Sequence, residues 1–319
     1  MNFETKPNRE KLPQLNGDLF LSDGGIETTL IFLDGIDLPH FAAFDLLKND
    51  AGKAALNEYF ERHIGIAKSL GMGFVLESPT WRASTDWGKL LGYSADDVAA
   101  FNKAAIFMMR TLRNAHETAD TPMVISGCVG PRGDGYNPAE LLTVAEAQAY
   151  HRHQIKALVE AGADMITAIT MTHAEEAAGI ARAAVAESTP VALAFTVETD
   201  GNLPTGQPLG EAIEQVDTAT GNAPAYYMIN CAHPDHFEDV LRSGGDWVDR
   251  IRGIRANASR QSHAELDEAE ELDPGDPQEL GQDYTRLQKL LPNLAVVGGC
   301  CGTDHRHVSC IGSACLAHR

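Results

Sequence analysis

The chain has 319 residues, 44% of them apolar, and a formal net charge of −20. That acidity excludes binding to nucleic acid or to anionic membranes through charge alone. No apolar run reaches the ~20 residues of a membrane-spanning helix, residues 1–11 carry no apolar signal core, and six scattered cysteines are too few for a disulfide scaffold.

A soluble cytoplasmic protein is expected, in which clustered cysteines bind metal or do chemistry. Residues 1–17 read as a leader or outer strap. After them, short apolar runs alternate with longer helical patterns. The predicted strands are 19–22, 74–77, 123–127, 165–169, 191–196, 226–230, 251–256 and 294–297. Most are continuously apolar, as strands covered on both faces of a parallel sheet should be. Helical patterns fill 51–70, 95–118, 144–161, 173–187, 208–220, 233–242, 277–290 and 304–317. The run Ala161-Gly162-Ala163-Asp164 marks a helix stop before the next strand. Eight βα units in order predict an α/β protein, a single-domain (β/α)8 barrel over residues 18–319. A doubly wound sheet is the alternative, but no Gly-x-Gly-x-x-Gly follows the first strand.

One segment breaks this rhythm. Residues 257–283 are polar and acidic, with Glu265, Asp267, Glu268, Glu270, Glu271, Asp273 and Asp276. They follow the seventh strand, on the face where barrels place their active sites. The segment reads as a solvated loop insertion, or as a lid or oligomer contact.

The chemistry gathers at the predicted strand ends. Gly298-Gly299-Cys300-Cys301-Gly302 closes the eighth strand and Asn230-Cys231 closes the sixth. Adjacent cysteines rarely bond to each other, but their glycine neighbours leave room for both thiols to bind one ion. Zinc takes three or four such ligands. Cys231, Cys300 and Cys301 are therefore predicted to form one Zn²⁺ site with an open fourth position. Three thiolates already neutralise the metal, so such a centre suits holding a substrate thiol as its thiolate. The sulfur then attacks an activated methyl carbon, and no protein general base is needed. Cys128 reads as a small buried residue, and Cys310 and Cys315 as packing on the last helix.

Asp23-Gly24-Gly25, Gly130-Pro131-x-Gly133-Asp134, Asn230-Cys231 and Gly298-Gly299-Cys300-Cys301-Gly302 resemble the motifs of the homocysteine S-methyltransferase family. That family includes betaine–homocysteine and S-methylmethionine–homocysteine methyltransferases and the homocysteine domain of cobalamin-dependent methionine synthase. The resemblance runs through nearly the whole chain. It implies a zinc-bearing barrel that methylates homocysteine to methionine, with Cys231, Cys300 and Cys301 as metal ligands. It also places Asp23 and Gly24 where the amino-acid end of homocysteine is held, Gly25 next to them, and Asn230 beside the metal.

The fourth strand departs from the family pattern. Where the family has Glu-Thr, with the Glu gripping the substrate ammonium, this chain has Ile169-Thr170. Glu77, at the end of the second strand, is the candidate to supply the missing carboxylate. Trp81, on the loop that follows, is the candidate to cover a sulfonium or quaternary ammonium donor by cation–π attraction. The expected partners are a small-molecule thiol and a methyl donor, such as S-methylmethionine, betaine or a methylated pterin. Two alternatives stay open: methylation of another thiol or selenol, and a non-catalytic barrel stapled by zinc. Oligomeric state is not legible in the sequence.

Overall fold

Eight parallel strands are hydrogen-bonded in chain order, and the eighth closes on the first. The structure is a computed structural model, which describes residues 11–136, 141–269 and 271–318. The strands are β1 (Phe20–Leu21), β2 (Gly73–Glu77), β3 (Met123–Val129), β4 (Met165–Met171), β5 (Val191–Phe195), β6 (Tyr226–Asn230), β7 (Ile251–Ala256) and β8 (Val296–Gly299). The helices that return the chain are α1 (Asp50–Leu70), α2 (Ala95–His116), α3 (Val144–Ala161), α4 (Ala174–Ala186), α5 (Leu209–Thr220), α6 (Pro234–Ser243), α7 (Pro277–Leu290) and α8 (His305–Ala317). This is the (β/α)8 barrel expected from the apolar periodicity. No helix among the described residues is long and apolar enough to cross a membrane.

Local chemistry fixes the helix ends. Ser94 with Asp97 and Thr143 with Glu146 form reciprocal caps that start α2 and α3, each worth about 1 kcal/mol. Gly162, at φ 101°, ends α3 in a left-handed turn that a side chain would strain.

Alternation along the strands sorts residues into two cores. Leu76, Ile125, Ile166, Leu193, Tyr227, Ile254 and Val297 point outward and pack in the core that the helices cover. Phe20, Val75, Val124, Met165, Tyr226, Met228 and Val296 point inward and fill the barrel floor. Leu12 joins that inner cluster, and Gln14 donates to the Tyr226 hydroxyl at 3.4 Å. The described part of the predicted outer strap therefore plugs the bottom of the barrel. Apolar surface at an open barrel end has to be covered, and Leu12 covers it. Residues 1–10 of that strap lie outside the described residues.

The acidic insertion 257–283 and the helical pattern 277–290 overlap in the sequence, and the structure gives the overlap to the helix. The connection after β7 ends at Asp276, whose carboxylate caps α7 through the Gln278 and Glu279 amides, so residues 277–283 belong to that helix. Within the connection, Ser262 caps a short helix, His263–Glu268. Leu266, Asp267, Leu272 and Asp273 border the pocket at the C-terminal mouth; Glu270 lies outside the described residues.

Candidate active site

Above the apolar floor the barrel interior turns polar. Glu77, Ser126, Thr167, Asn230 and Arg255, all inward-facing, are buried there. The pocket over them holds about 400 Å³ and opens at the C-terminal ends of the strands, where barrel chemistry resides.

The three predicted thiols meet on one side of this pocket. The Sγ atoms of Cys231, Cys300 and Cys301 lie within 4.8 Å of one another, with Cys231 and Cys301 3.4 Å apart. Backbone conformation delivers them. Cys231 sits in the left-handed region at φ 57°, a strained position for a side-chain-bearing residue that turns the chain sharply out of β6. On the other side, a Cβ on Gly25 would stand 2.5 Å from the Cys300 carbonyl oxygen, so only glycine permits the β1 loop to lie against the cysteine pair.

Asn230 ties this corner together. It accepts the Thr170 amide at 2.8 Å, donates to the Thr170 hydroxyl at 3.0 Å, and approaches Cys300 Sγ at 3.8 Å. Thr170 itself has φ 62°, where the β4–β5 register shifts.

Crowding makes the thiols titrate unequally. Hydrogen bonds from Cys231 and Cys301, aided by the Arg255 charge, hold the Cys300 thiol well below its ordinary range. The Cys231 thiol is pushed up by its hydrogen bonds to Cys300 and Cys301 and by burial. The Cys231 contact lowers Cys301, but Cys300 and burial together raise it. A cation bound among them would favour the ionised form of all three.

Asp23 is spoken for within the protein. Arg255 donates to its Oδ1 at 2.7 Å and Tyr59 to its Oδ2 at 2.9 Å, and Gly24 offers its carbonyl to the same two side chains. Glu77 is different. Its Oε2 is buried without a hydrogen-bond partner among the described residues. Burial raises its pKa to about 7 against the opposing pulls of Arg255, Thr167 and Ser126. Thr167 lies two residues before Ile169 on the inward face of β4. Glu77 and Ile169 both line the pocket.

Trp81 also lines the pocket, but the Arg82 guanidinium already lies 4.7 Å from its ring centre. The face offered to a donor cation is therefore beside a positive charge.

Several pocket residues escaped the sequence reading. The Tyr136 hydroxyl lies 3.0 Å from Cys231 Sγ and 3.3 Å from Cys301 Sγ. Burial and these sulfurs push its pKa well up. The ring stacks on His263 at 4.2 Å, and His263 Nε2 lies 2.7 Å from the Cys231 carbonyl oxygen. Glu27 borders the pocket near Cys300, with burial raising its pKa to about 7. Arg255 had a legible signal, an arginine inside an otherwise buried strand. Tyr136 had none, because its loop reaches the thiols only in three dimensions.

The family model described as homocysteine S-methyltransferase matches residues 20–315. Among solved structures, the homocysteine methyltransferase MmuM from Escherichia coli is similar in three forms. The oxidized form has TM-score 0.75 at 18% identity, covering 95% of this chain and 98% of that one. The metallated form has TM-score 0.73 at 18% identity, covering 93% and 96%. The apo form has TM-score 0.69 at 19% identity, covering 94% and 99%. At such identity the likeness is one of fold. No curated protein matches the chain in sequence.

Proposed function

The chain belongs to the homocysteine S-methyltransferase family and is a methyltransferase; from that premise we propose that it is a zinc-dependent thiol S-methyltransferase whose acceptor is homocysteine and whose product is methionine. One observation carries this reading: three thiols from two strand ends converge within 4.8 Å at a pocket.

The donor set fits the metal. Tetrahedral Zn–S bonds of about 2.3 Å put sulfurs roughly 3.8 Å apart, close to the spacing seen here. Cys231, Cys300 and Cys301 would hold the ion, and a metallated form of the similar E. coli enzyme supports the reading. Bound there, zinc supplies a Lewis acid that keeps an incoming thiol deprotonated at neutral pH.

The protein's own residues do the rest. Asn230 fixes the ligand corner. Asp23, Gly24 and Gly25 form the wall against which the acceptor's amino-acid end lies. The unpartnered oxygen of Glu77 receives its ammonium, which restores charge to a carboxyl otherwise inclined to protonate. The acceptor loses its thiol proton to solvent on binding. Its sulfur lone pair then forms the new S–C bond to the donor methyl. The bond from that methyl to the donor heteroatom breaks, and its electron pair stays on the donor.

Ile169 in the pocket wall favours one second reading, an acceptor thiol or selenol without an ammonium group. A methyl-transfer screen on zinc-loaded protein, pairing homocysteine, 4-mercaptobutanoate and other thiols with several donors, separates the two. The proposal expects homocysteine to be preferred, and Cys231→Ala, Cys300→Ala and Cys301→Ala to lose metal and activity while remaining folded. Full transfer by metal-free protein overturns it.

A further inference from the structure

The connection after β7 clasps the thiol cluster from two sides. On one side the Ala258 amide donates to the Cys301 carbonyl at 3.0 Å, and a Cβ on Gly302 would stand 3.1 Å from both Ala258 Cβ and the Asp273 carbonyl oxygen. On the other stands His263, the first residue of the short helix that Ser262 and Glu265 cap. It is buried, with 5% of the residue exposed. Its Nε2 lies 2.7 Å from the Cys231 carbonyl oxygen, which can only accept, so this nitrogen carries a hydrogen and donates. Its Nδ1 lies 2.9 Å from Glu198 Oε1. The ring stacks on Tyr136, with centres 4.2 Å apart and planes 14° from parallel.

These contacts act on two things that the cluster needs. Cys231 sits at φ 57°, and such a conformation persists only where its surroundings fix it. Its carbonyl accepts from His263 Nε2 and, at 3.2 Å, from the Thr196 hydroxyl, while its amide donates to the Arg255 carbonyl at 3.1 Å. The Tyr136 hydroxyl stands 3.0 Å and 3.3 Å from the Cys231 and Cys301 sulfurs, and the His263 ring behind the phenol fixes the plane in which it lies. Glu198, on the segment after β5, orients the imidazole in turn. Packing alone requires neither a ring nitrogen aimed at the carbonyl of a thiol-bearing residue nor a parallel ring behind the phenol.

We propose that His263 is a positioning residue for the thiol cluster: Nε2 holds the backbone of Cys231 in its left-handed turn, and the ring seats Tyr136 with its hydroxyl against the Cys231 and Cys301 sulfurs. Glu198 orients the imidazole for both tasks. The connection after β7 thereby serves the centre through one histidine rather than through its acidic side chains. The spacing of the sulfurs decides how well an ion fits between them, so His263 acts on metal affinity without touching the ion. The proposal rests on the reading above, in which these three thiols hold zinc.

The test is chelator competition on zinc-loaded variants, with urea unfolding to check that each is folded. His263→Ala should weaken zinc binding by about tenfold or more. His263→Gln, whose amide can donate to the same carbonyl, should restore part of that loss. Tyr136→Phe removes the hydroxyl that the ring seats, so its effect should be smaller in the His263→Ala background than in wild type. Glu198→Ala, outside the pocket lining, should weaken zinc binding in wild type and do nothing further in His263→Ala. Unchanged zinc affinity in His263→Ala overturns the proposal. So does a loss that Gln fails to restore, or strict additivity with Tyr136→Phe. Should His263→Ala not fold, Glu198→Ala decides, and wild-type zinc affinity in that variant overturns the proposal. If zinc-loaded wild type transfers no methyl group, the proposed function fails and His263 is still judged by metal affinity. If wild type binds no zinc, iodoacetamide labelling of the metal-free protein decides, read peptide by peptide. His263→Ala should then label faster at Cys231 and Cys301, as Tyr136→Ala should, and a wild-type rate in His263→Ala overturns the proposal.

Discussion

Asn230 and Thr170 share two hydrogen bonds across the barrel mouth, amide to carbonyl at 2.8 Å and amide to hydroxyl at 3.0 Å. They join the last residue of β6 to a left-handed residue near the end of β4, and the next residue after Asn230 is a thiol of the cluster. Asn230→Ala leaves a buried backbone N–H unpaired beside a strained turn. Urea unfolding should show a loss of about 1–3 kcal/mol. A chelator-competition titration should show weaker zinc binding; unaltered zinc affinity would mean that the tie does not reach Cys231.

Gly25 presses directly on the cysteine pair. An added Cβ would lie 2.5 Å from the Cys300 carbonyl oxygen and 2.9 Å from Thr28 Oγ1. Gly25 has an ordinary φ of −73°, so Gly25→Ala tests close approach alone and not backbone freedom. The expected cost is about 1–3 kcal/mol, with reduced metal occupancy by elemental analysis. Gly133→Ala, where nothing stands within 4 Å, is the control and should match wild type.

Asp23 and Arg255 form a buried ion pair at 2.7 Å. Removing one partner strands a charge. Arg255→Leu is expected to destabilise the protein by about 3–5 kcal/mol. The double variant Asp23→Asn/Arg255→Leu should lose less than the sum of the two single changes. Strict additivity in chemical denaturation would show that the two residues are not energetically coupled.

Glu77 imposes a pH dependence on the metal-free, substrate-free protein. Its pKa rises from 4.5 in the unfolded chain to about 7 in the fold, chiefly through burial. Between those values the folded state holds the proton more tightly than the unfolded state. Its contribution therefore favours folding below pH 4.5 and is lost as pH climbs through 7, by at most about 3 kcal/mol. Glu77→Gln should flatten the stability profile between pH 5 and 8 and stabilise the protein at the alkaline end. A profile as steep as that of wild type would assign the slope to another group.

The barrel was legible because its causes are local. Parallel strands covered on both faces must be continuously apolar, and helices must repeat their apolar residues every three or four positions, so all eight units could be read in order. The cysteine pair and the Asn-Cys step marked the candidate centre because each stands at the end of such a run. Strand ends are where local signals stop, and there the reading was less complete: β3 and β4 each continue two residues past their predicted ends, and β8 runs through its glycines to Gly299.

Other features depended on which strand ends face one another. Closure of the barrel commits Asp23 to Arg255 and brings Tyr136 onto the thiols from a loop 95 residues away from Cys231. It also puts Glu77 and Ile169 in the lining of one pocket, and it lays Arg82 over the indoles that would otherwise suit a cation. The order of residues along a chain sets what each can do chemically. Charge pairing, desolvation and stacking depend on separations of a few ångströms, and those exist only once the sheet has closed.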